Sequence, residues 1–353
     1  MKNIKKKKKV LVVNEALSDN LGDRAIGLTL KWILERNNCN VVVAGYSKIN
    51  YRIRKNDKAR KKFVADSAVH FIKKTMFKLL WLIMIRENIK EYALNRYDIV
   101  IIGGGQLILS NFYFPIAMYL WTKYLYNNNN RNVYLVGVGC GNKFTIVDKL
   151  LYGKAFSKIK AIYVRDKDSV ISLLKEFNLE AKFIPDPVIL IDEIYGLKAK
   201  ERQDLTILGI IHYRLYRMYN MNHLSYKEYI EEWISMIESE IKKGKIVELF
   251  YTTQEDFNQS LILQYEYYKK YKKLLKINNC DHLKEFILLL QSCSKIISGR
   301  AHALIMAKVY NKEVVPFFVS HKIKSIAKEY IEPSMAINEY KNIIKEKICE
   351  IIN

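Results

Sequence analysis

The fold is decided by the stretch SKIISGRAHALIMAKVYNKEVVPFFV, residues 294–319, in which a strand pattern turns into a helix pattern and back. An apolar run at 295–297 precedes a helical pattern at 301–310, and β-branched and aromatic residues follow at 314–319. Strand, helix and strand in this order are typical of a parallel sheet covered by helices. We expect the helix to begin where the first strand ends, with N–H groups accessible to an anion.

The residues at that turn have side chains suited to an anionic substrate. Arg300 is a permanent cation that can clamp a phosphate or carboxylate, and His302 exchanges protons near neutral pH. Ser298 or Gly299 can cap the helix, and Ser298 is predicted to bind substrate. We predict Arg300 and His302 as catalytic residues. A structural ion pair with a surface histidine is the alternative that the spacing leaves open.

The same alternation of short apolar runs and longer helical patterns continues along the chain. It predicts an α/β fold with two Rossmann-like doubly wound domains that face a cleft, a glycosyltransferase-B-like architecture. We predict an N-terminal domain at 1–195, a C-terminal domain at 205–325 and a helical tail at 326–353. The predicted strands are 10–13, 41–44, 99–102, 133–136, 161–164 and 182–184, then 206–211, 246–250, 295–297 and 314–319.

Glycine-rich corners precede or follow helices in the first half. These corners are Gly22-Asp23, Gly103-Gly104-Gly105-Gln106 and residues 137–141. Glycine permits positive φ and a close approach of ligand to backbone, whereas tight turn geometry alone is the other explanation. Because the GxGxxG spacing fails at Asn142, we exclude a dinucleotide site.

Polar residues at the carboxyl ends of other predicted strands extend the candidate site. Arg214 ends the first strand of the second half and is predicted to point into the cleft, and Lys322 follows the last strand. A solvent-facing position is the alternative for both. Arg165-Asp166 and Asp186 close strands of the first half, where a helix start and a structural turn are the simpler explanations.

Composition limits the class of protein and its partners. At 353 residues with 50% apolar and 27% charged residues, the chain is neither disordered nor fibrous. Five scattered cysteines without Cys or His metal spacing indicate reduced thiols in a cytoplasmic protein and no metal site. The net charge of +23 favours anionic partners such as phosphorylated small molecules or lipid surfaces. We predict no nucleic-acid binding, because no recognisable binding module accompanies the lysines.

Two apolar segments bear on membrane insertion. The run at 10–13 is too short for a signal peptide, and the window 76–85 is far shorter than the roughly 20 residues that span a bilayer. We predict a core helix for that window. A helix in peripheral contact with the inner face of the membrane stays open as the alternative, because basic residues flank the window or lie within it: Lys73, Lys74, Lys78 and Arg86.

In this order the motifs resemble those of the polysaccharide pyruvyl transferase family over nearly the whole chain. The Ser-x-Arg-x-His element at 298–302, followed by Pro316 and Lys322, is the most specific part. The other matching residues are Asn20, Gly22-Asp23, Ala25, Asp98, Gly103-Gly104-Gly105, residues 137–141, Arg165, Ser169, Asp186-Pro187 and Ala307. The resemblance implies transfer of pyruvate from phosphoenolpyruvate to two hydroxyls of a sugar, as a cyclic ketal. The sugar would belong to a surface polysaccharide or its lipid-linked precursor.

The resemblance also implies roles for the motif residues. His302 would act as general acid/base, Arg300 would hold the leaving phosphate, and Arg214 and Lys322 would contact donor charges. Phosphoenolpyruvate would be a co-substrate, and no metal or organic cofactor would be needed. The residues that would face the saccharide acceptor are Gly22, Asp23, Gly103, Gly104, Gly105 and Gln106.

Two other functions stay open from the sequence. One is a glycosyltransferase of the same architecture that uses a nucleotide sugar, and the other is a non-catalytic basic protein that binds membrane or polyanions. A melting-temperature shift with a nucleotide sugar, and none with phosphoenolpyruvate, would favour the first. Binding without any phosphate release would favour the second.

Overall fold

The computed structural model describes residues 7–47, 67–219, 224–332 and 335–353. Its first sheet has six parallel strands in the order β2-β1-β3-β4-β5-β6. These strands are β1 (Lys8–Asn14), β2 (Cys39–Gly45), β3 (Ile99–Ile108), β4 (Val133–Cys140), β5 (Ala161–Val164) and β6 (Lys182–Phe183). Because helices cover both faces, the strands are near-continuous apolar runs rather than alternating ones.

Helices connect consecutive strands of this sheet. They are α1 (Leu21–Arg36), α2 (Ser67–Ala93), α3 (Tyr113–Asn127), α4 (Ile146–Phe156), α5 (Lys167–Phe177) and, after a 3-10 turn at Pro187–Leu190, α6 (Ile191–Tyr195). Val10 and Val12 of β1 pack in the core that contains α1, whereas Leu11 and Val13 pack in the core that contains α2 to α5. The strict alternation of side chains along a strand produces this division.

The second sheet has five parallel strands in the order β11-β10-β7-β8-β9. Its strands are β7 (Leu205–Gly209), β8 (Ile246–Leu249), β9 (Lys276–Ile277), β10 (Lys295–Ser298) and β11 (Glu313–Pro316). Its helices are α7 (Tyr213–Tyr219), α8 (Tyr226–Lys242), α9 (Gln254–Tyr271), α10 (Leu283–Ser292), α11 (Ala301–Val309) and α12 (His321–Ile326).

The C-terminal tail returns to the N-terminal domain. A π-helical segment, Ala327–Ile331, is followed after a short connection by α13 (Ile337–Ile352). Ile344 and Ile348 are buried in the core that also contains α1. The Lys341 ammonium lies 2.6 Å from Asp192 Oδ2, and the Cys349 thiol lies 3.3 Å from Asn37 Oδ1. The tail therefore packs against the N-terminal domain, although it follows the C-terminal domain in the sequence.

The two-domain α/β fold predicted from the sequence is confirmed. Several strand bounds differ from the prediction. β3 and β4 continue through their glycines to Ile108 and Cys140, β7 and β11 end earlier, at Gly209 and Pro316, and the two-residue strand β9 was not predicted. The boundaries at 195, 205 and 325 stay predictions.

The apolar window 76–85 differs from its prediction as a core helix. Ile85 is buried, but Met76, Leu79 and Leu80 are 63%, 57% and 52% exposed on α2. Within the described residues, no helix combines the length and apolar character needed to span a bilayer.

Candidate active site

A cavity of about 530 Å³ lies between the domains, at the carboxyl ends of their strands. Gln106, Gly139 and Arg165 line it from the N-terminal domain, and Arg300 and His302 line it from the C-terminal domain. The volume is that of an ordinary small-molecule site. The strand-to-helix corners quoted from the sequence therefore converge on a single space.

The His302 imidazole is held by two buried residues of the N-terminal domain. Its Nε2 lies 3.0 Å from Arg165 Nη1 and 3.4 Å from Asp186 Oδ2. Arg165 Nη1 also donates to Asp186 Oδ2 at 2.9 Å. Because a guanidinium keeps its protons, Nε2 of the neutral ring accepts from Arg165, which assigns the ring proton to Nδ1.

The charges of this cluster are balanced by pairing. Although burial opposes ionisation of Asp186, the neighbouring His302 and Arg165 hold the pKa of its carboxyl below the usual range. Arg165 Nε is buried on the cavity wall without a hydrogen-bond partner among the described residues. Since buried donors are nearly always paired, this one indicates a place for an acceptor atom of a ligand.

Two glycines make room for the cluster. A Cβ at Gly22 would lie 2.3 Å from His302 Nδ1, and a Cβ at Gly139 would lie 3.1 Å from Arg165 Nη2. Gly22 lies in the first turn of α1, whose Asn20 cap accepts its N–H at 3.0 Å. The N-terminal end of α1 thus packs directly on the imidazole, and a side chain at this position would displace it.

Arg300 is fixed by a bidentate ion pair. Its Nε donates to Asp256 Oδ2 at 2.8 Å and its Nη2 donates to Asp256 Oδ1 at 2.6 Å. Burial opposes the charge on Arg300, but Asp256 and, more weakly, Asp23 raise the pKa of its guanidinium. This pairing holds the planar fork in place while its Nη1 end takes no part in the pair.

Lys322 lies in the first turn of α12 and lines the same cavity. Burial, reinforced by the positive charge of Arg165, lowers the pKa of Lys322 to about 7. Asp23 and Asp186 act in the opposite direction. Lys322 is therefore only partly charged at neutral pH, and an anion bound beside it would favour its protonated form.

The helix starts at Ala301, as predicted, but its capping residue differs from the prediction. Arg300, not Ser298 or Gly299, is the N-cap of α11, and Ala301, His302 and Ala303 line the cavity. The first-turn N–H groups of α11 therefore lie at the cavity wall, where they favour an anion. Ser298 is fully buried, donates to the Gly209 carbonyl at 3.0 Å and accepts the Arg300 N–H at 3.2 Å. Its role is to shape the turn, which corrects the expectation that it binds substrate.

Several other predicted site residues lie elsewhere. Arg214 is an exposed residue of α7 outside the cavity wall, because the strand before it ends at Gly209 and the chain has already turned into a helix. Gly103 and Gly104 lie inside β3. A Cβ at Gly103 would lie 2.7 Å from the Val136 carbonyl oxygen, and a Cβ at Gly104 would lie 1.9 Å from Ile26 Cγ2. These two glycines let α1 approach the sheet, so a structural role replaces the predicted acceptor contact.

Of the other residues predicted to face the acceptor, Gln106 lines the cavity, whereas Gly105 and Asp23 lie near it. Gly105 also lies in β3, and a Cβ there would be 3.5 Å from Asp23 Oδ1. Asp23 is half-buried near the wall, and its Oδ2 accepts from the Ser18 hydroxyl at 3.3 Å. Asp23 thus contributes negative charge near Arg300 and Lys322 without lining the cavity itself.

The sequence pointed to Arg165 and Asp186 as residues that match the family, but a helix start and a turn were their simpler explanations, and Asp256 was not predicted. Arg165 and His302 are 137 positions apart, so no local spacing reveals their contact. Asp256 lies in the first turn of α9, where an acidic residue is favoured by the helix dipole whatever else it does. The available signal was position alone, since both Arg165 and Asp186 directly follow predicted strands.

A metal ion has no evident place in this part of the molecule. Across the described residues, no three or more His, Cys, Asp or Glu side chains are grouped so that they could hold one.

The two parallel-sheet domains and the cavity between them define a protein of the GT-B fold class. Structures of this fold align along almost the whole chain. UDP-N-acetylglucosamine 2-epimerase from Rickettsia bellii aligns with a TM-score of 0.56 at 10% identity, over 98% of this chain and 96% of that one. The UDP-GlcNAc 2-epimerase of Methanocaldococcus jannaschii, in complex with UDP-GlcNAc and UDP, aligns with a TM-score of 0.55 at 13% identity. This alignment covers 98% of this chain and 99% of that one.

The sequence narrows the class to one family. The family model "Polysaccharide pyruvyl transferase" matches residues 20–321. This chain belongs to the polysaccharide pyruvyl transferase family, a family of transferases. No curated protein sequence matches it significantly.

Proposed function

We propose that this protein transfers a pyruvyl group from phosphoenolpyruvate to two hydroxyls of one sugar, which forms a cyclic ketal on a surface polysaccharide or its lipid-linked precursor. One observation carries the proposal: Arg165, Arg300, Lys322 and His302 line one cavity together with the N-terminus of α11. A donor that bears both a phosphate and a carboxylate matches this set of cations and N–H donors.

The donor is positioned by groups that are already held in place. Arg300, fixed by Asp256, binds the phosphate together with the first-turn N–H groups of α11. Lys322 and Nε of Arg165 bind further donor oxygens. This Nε makes no hydrogen bond among the described residues, and Asp166 Oδ2 lies 3.8 Å from it. Because both guanidinium groups are held by carboxylates before the donor arrives, little side-chain freedom is lost on binding.

The reaction requires one proton carrier. The step starts from the His302 imidazolium, whose Nε2–H faces the Asp186 carboxylate. Its Nδ1 proton is added to carbon 3 of phosphoenolpyruvate as the first sugar oxygen bonds to carbon 2, and this hydroxyl returns its proton to Nδ1. The second sugar oxygen then bonds to carbon 2 while the bond from carbon 2 to the phosphate oxygen breaks. The proton of the second hydroxyl leaves with the phosphate, so atoms and charge balance without an oxidant or reductant.

The surroundings of His302 suit this exchange. Nε2 is occupied by Arg165 and Asp186, which leaves Nδ1 as the nitrogen for proton transfer. Asp186 remains ionised and stabilises the imidazolium when it forms. Gln106 on the wall faces the acceptor side, where it would orient a sugar hydroxyl. We propose a cytoplasmic location and no cofactor beyond the co-substrate.

The test is incubation of the protein with phosphoenolpyruvate and lipid-linked oligosaccharides from its own organism. We expect a mass increase equal to one ketal-linked pyruvate, with inorganic phosphate released in equal amount. The variant His302→Ala is expected to lose turnover by about a hundredfold or more with unchanged circular dichroism, as loss of a general acid/base implies. The exposed His282 provides the matched control, because His282→Ala should keep full activity.

The other functions make different predictions for the same samples. Stabilisation by a nucleotide sugar, and none by phosphoenolpyruvate, would indicate a glycosyltransferase. Retained polyanion binding in His302→Ala, with no phosphate release from the wild type, would indicate a binding protein. Ketal formation by His302→Ala at the wild-type rate would remove His302 from the mechanism.

A further inference from the structure

The outward face of α2 carries an apolar stripe where a solvent-exposed helix normally carries charges. Met76, Leu79, Leu80 and Ile83 are 63%, 57%, 52% and 62% exposed. Their spacing of three, four and seven residues places them on one face, whereas Ile85 on the other side is buried. A contiguous exposed apolar surface of this kind indicates a binding surface.

Exposed apolar residues also occur at the beginnings of two further helices. Ile146, Val147 and Leu150 of α4 are 80%, 63% and 60% exposed, and Ile171 of α5 is 63% exposed. Because α2, α4 and α5 pack in the same core, they cover the same face of the first sheet. In a parallel sheet, such helices all begin at the edge where the strands end.

That edge is also the mouth of the cavity. Lys143, just before α4, and Ser172 of α5 line the cavity wall. α2 has 27 residues and is therefore about 40 Å long, whereas the seven-residue strand β1 spans about 23 Å. The N-terminal half of α2 thus extends past the sheet toward the mouth. Trp81, at the middle of α2, packs edge-on against Tyr113, the first residue of α3, at 4.9 Å.

Basic residues predominate beside the stripe. Lys78 lies within it and Arg86 just after it, and Glu87, the acidic residue of the next turn, is paired with Lys90 at 2.8 Å. Lys78 lies 4.4 Å from the centre of the Phe112 ring, at the same edge as the stripe. Basic side chains around an exposed apolar helix face complement the headgroups and the acyl boundary of an anionic bilayer.

We propose that the N-terminal domain docks on an anionic lipid membrane through this rim, defined by Met76, Leu79, Leu80, Ile83, Ile146, Val147, Leu150 and Ile171. The stripe lies in the interface and does not cross the bilayer. Docking in this orientation turns the cavity mouth toward the lipid surface. A lipid-linked acceptor would then reach His302 without leaving the membrane; this last consequence rests on the proposed function, whereas docking itself does not.

Sedimentation of the full chain with vesicles tests the proposal. We expect binding to vesicles of phosphatidylcholine with phosphatidylglycerol, and much weaker binding to phosphatidylcholine alone or at high salt. The variant Leu79→Ser/Leu80→Ser/Ile83→Ser should lower the apparent affinity by about tenfold or more, since three apolar side chains leave the interface. Leu261, Ile262 and Tyr265 of α9 are also exposed, and their triple serine variant is the matched control that should bind like the wild type.

The outcomes separate docking from catalysis. Because these vesicles contain no acceptor, their binding is independent of pyruvyl transfer, and the stripe variant should keep its rate on a water-soluble oligosaccharide. Absence of wild-type binding to anionic vesicles, or equal binding by the stripe variant, overturns the proposal. A dimer in sedimentation velocity that the stripe variant abolishes, without vesicle binding, overturns it in favour of a second copy of the chain.

Discussion

Gly22 lacks a side chain at the point where α1 approaches the imidazole, and this absence has a measurable consequence. A Cβ there would lie 2.3 Å from His302 Nδ1. We therefore expect Gly22→Ala to displace the ring and to lower kcat by about tenfold or more, since misplacement of about 1 Å costs up to a hundredfold. The KM for phosphoenolpyruvate should change little, because Arg300 and Lys322 bind the donor. Steady-state kinetics distinguishes the two constants.

Gly153 supplies the control for this substitution. It lies within α4, and a Cβ there would meet no other atom within 4 Å. Gly153→Ala should keep wild-type kinetics and raise the free energy of unfolding by about 0.5–1 kcal/mol, because alanine is the better helix former. Equal kcat values for the two variants would contradict the assigned role of Gly22.

Lys322 makes donor binding depend on pH. Its pKa of about 7 means that the side chain is protonated below that pH and neutral above it. Since an anionic donor favours the protonated form, we expect the KM for phosphoenolpyruvate to rise above pH 7, by up to tenfold per pH unit. Lys322→Arg should flatten this rise because arginine stays charged, and Lys322→Met should raise KM at every pH. A rise unchanged in Lys322→Arg would assign the titration to another group.

For individual residues, the sequence predicted the side chains that line the cavity better than it predicted the carboxylates that pair with them. Arg300, His302 and Lys322 all line the cavity, and each stands just after a predicted strand. Their partners come from other elements: Asp256 from α9, and Asp186 from the end of the first domain. Pairing across domains depends on packing, which a local motif does not encode.

Among the elements, the π-helical segment Ala327–Ile331 has the most direct connection to the site. Tyr330 donates its hydroxyl proton to the Arg165 carbonyl at 2.6 Å and accepts the Asp186 N–H at 2.8 Å. Tyr330→Phe leaves both buried backbone groups unpaired, so the free energy of unfolding should fall by about 1–3 kcal/mol for each. We also expect a lower kcat, because Arg165 and Asp186 position His302. Urea unfolding and initial rates measure the two effects.

Tyr340 of α13 is the matched control for Tyr330. It is buried in the same tail, and its hydroxyl donates to the Glu329 carbonyl at 3.0 Å. Tyr340→Phe should also lose stability but should keep the wild-type kcat, since neither Arg165 nor Asp186 is its partner. If both variants lost kcat equally, tail stability rather than the Tyr330 hydrogen bonds would be responsible.

Element boundaries show where sequence patterns lose information. The glycine run after residue 102 indicated a corner, yet Gly104 and Gly105 adopt positive φ of 72° and 75° inside β3, next to a register shift. Glycine permits a bulge as readily as a turn, and only the neighbouring strand decides between them. The strand β9 has two residues, which is too short for any periodic pattern.

For the whole molecule, the charge of +23 should make donor capture depend on salt. A positive surface steers anions and raises their association rate by about ten- to a thousandfold at low ionic strength. We expect kcat/KM for phosphoenolpyruvate to fall by about tenfold or more from about 0.01 M to about 1 M ionic strength. The KM for a neutral oligosaccharide acceptor should stay constant over the same range. A parallel loss for both substrates would indicate a general effect of salt on the protein.

The overall architecture was easier to predict from the sequence than the element boundaries or the residue contacts. Alternating strand and helix patterns allow few topologies, because parallel strands need crossovers of fixed hand. The return of α13 to the first domain was not predictable in the same way. Its stripe of Ile344, Ile348 and Ile351 shows that one face is buried but does not identify the surface it covers.

That return means that the chain passes between the domains twice, at 196–204 and again at the π-helical segment Ala327–Ile331. The two domains also share one continuous buried core, so these crossings are not their only connection. At the second crossing Tyr330 bonds to Arg165, which itself holds the His302 imidazole. Relative movement of the domains would therefore have to break hydrogen bonds beside the proton-transferring ring.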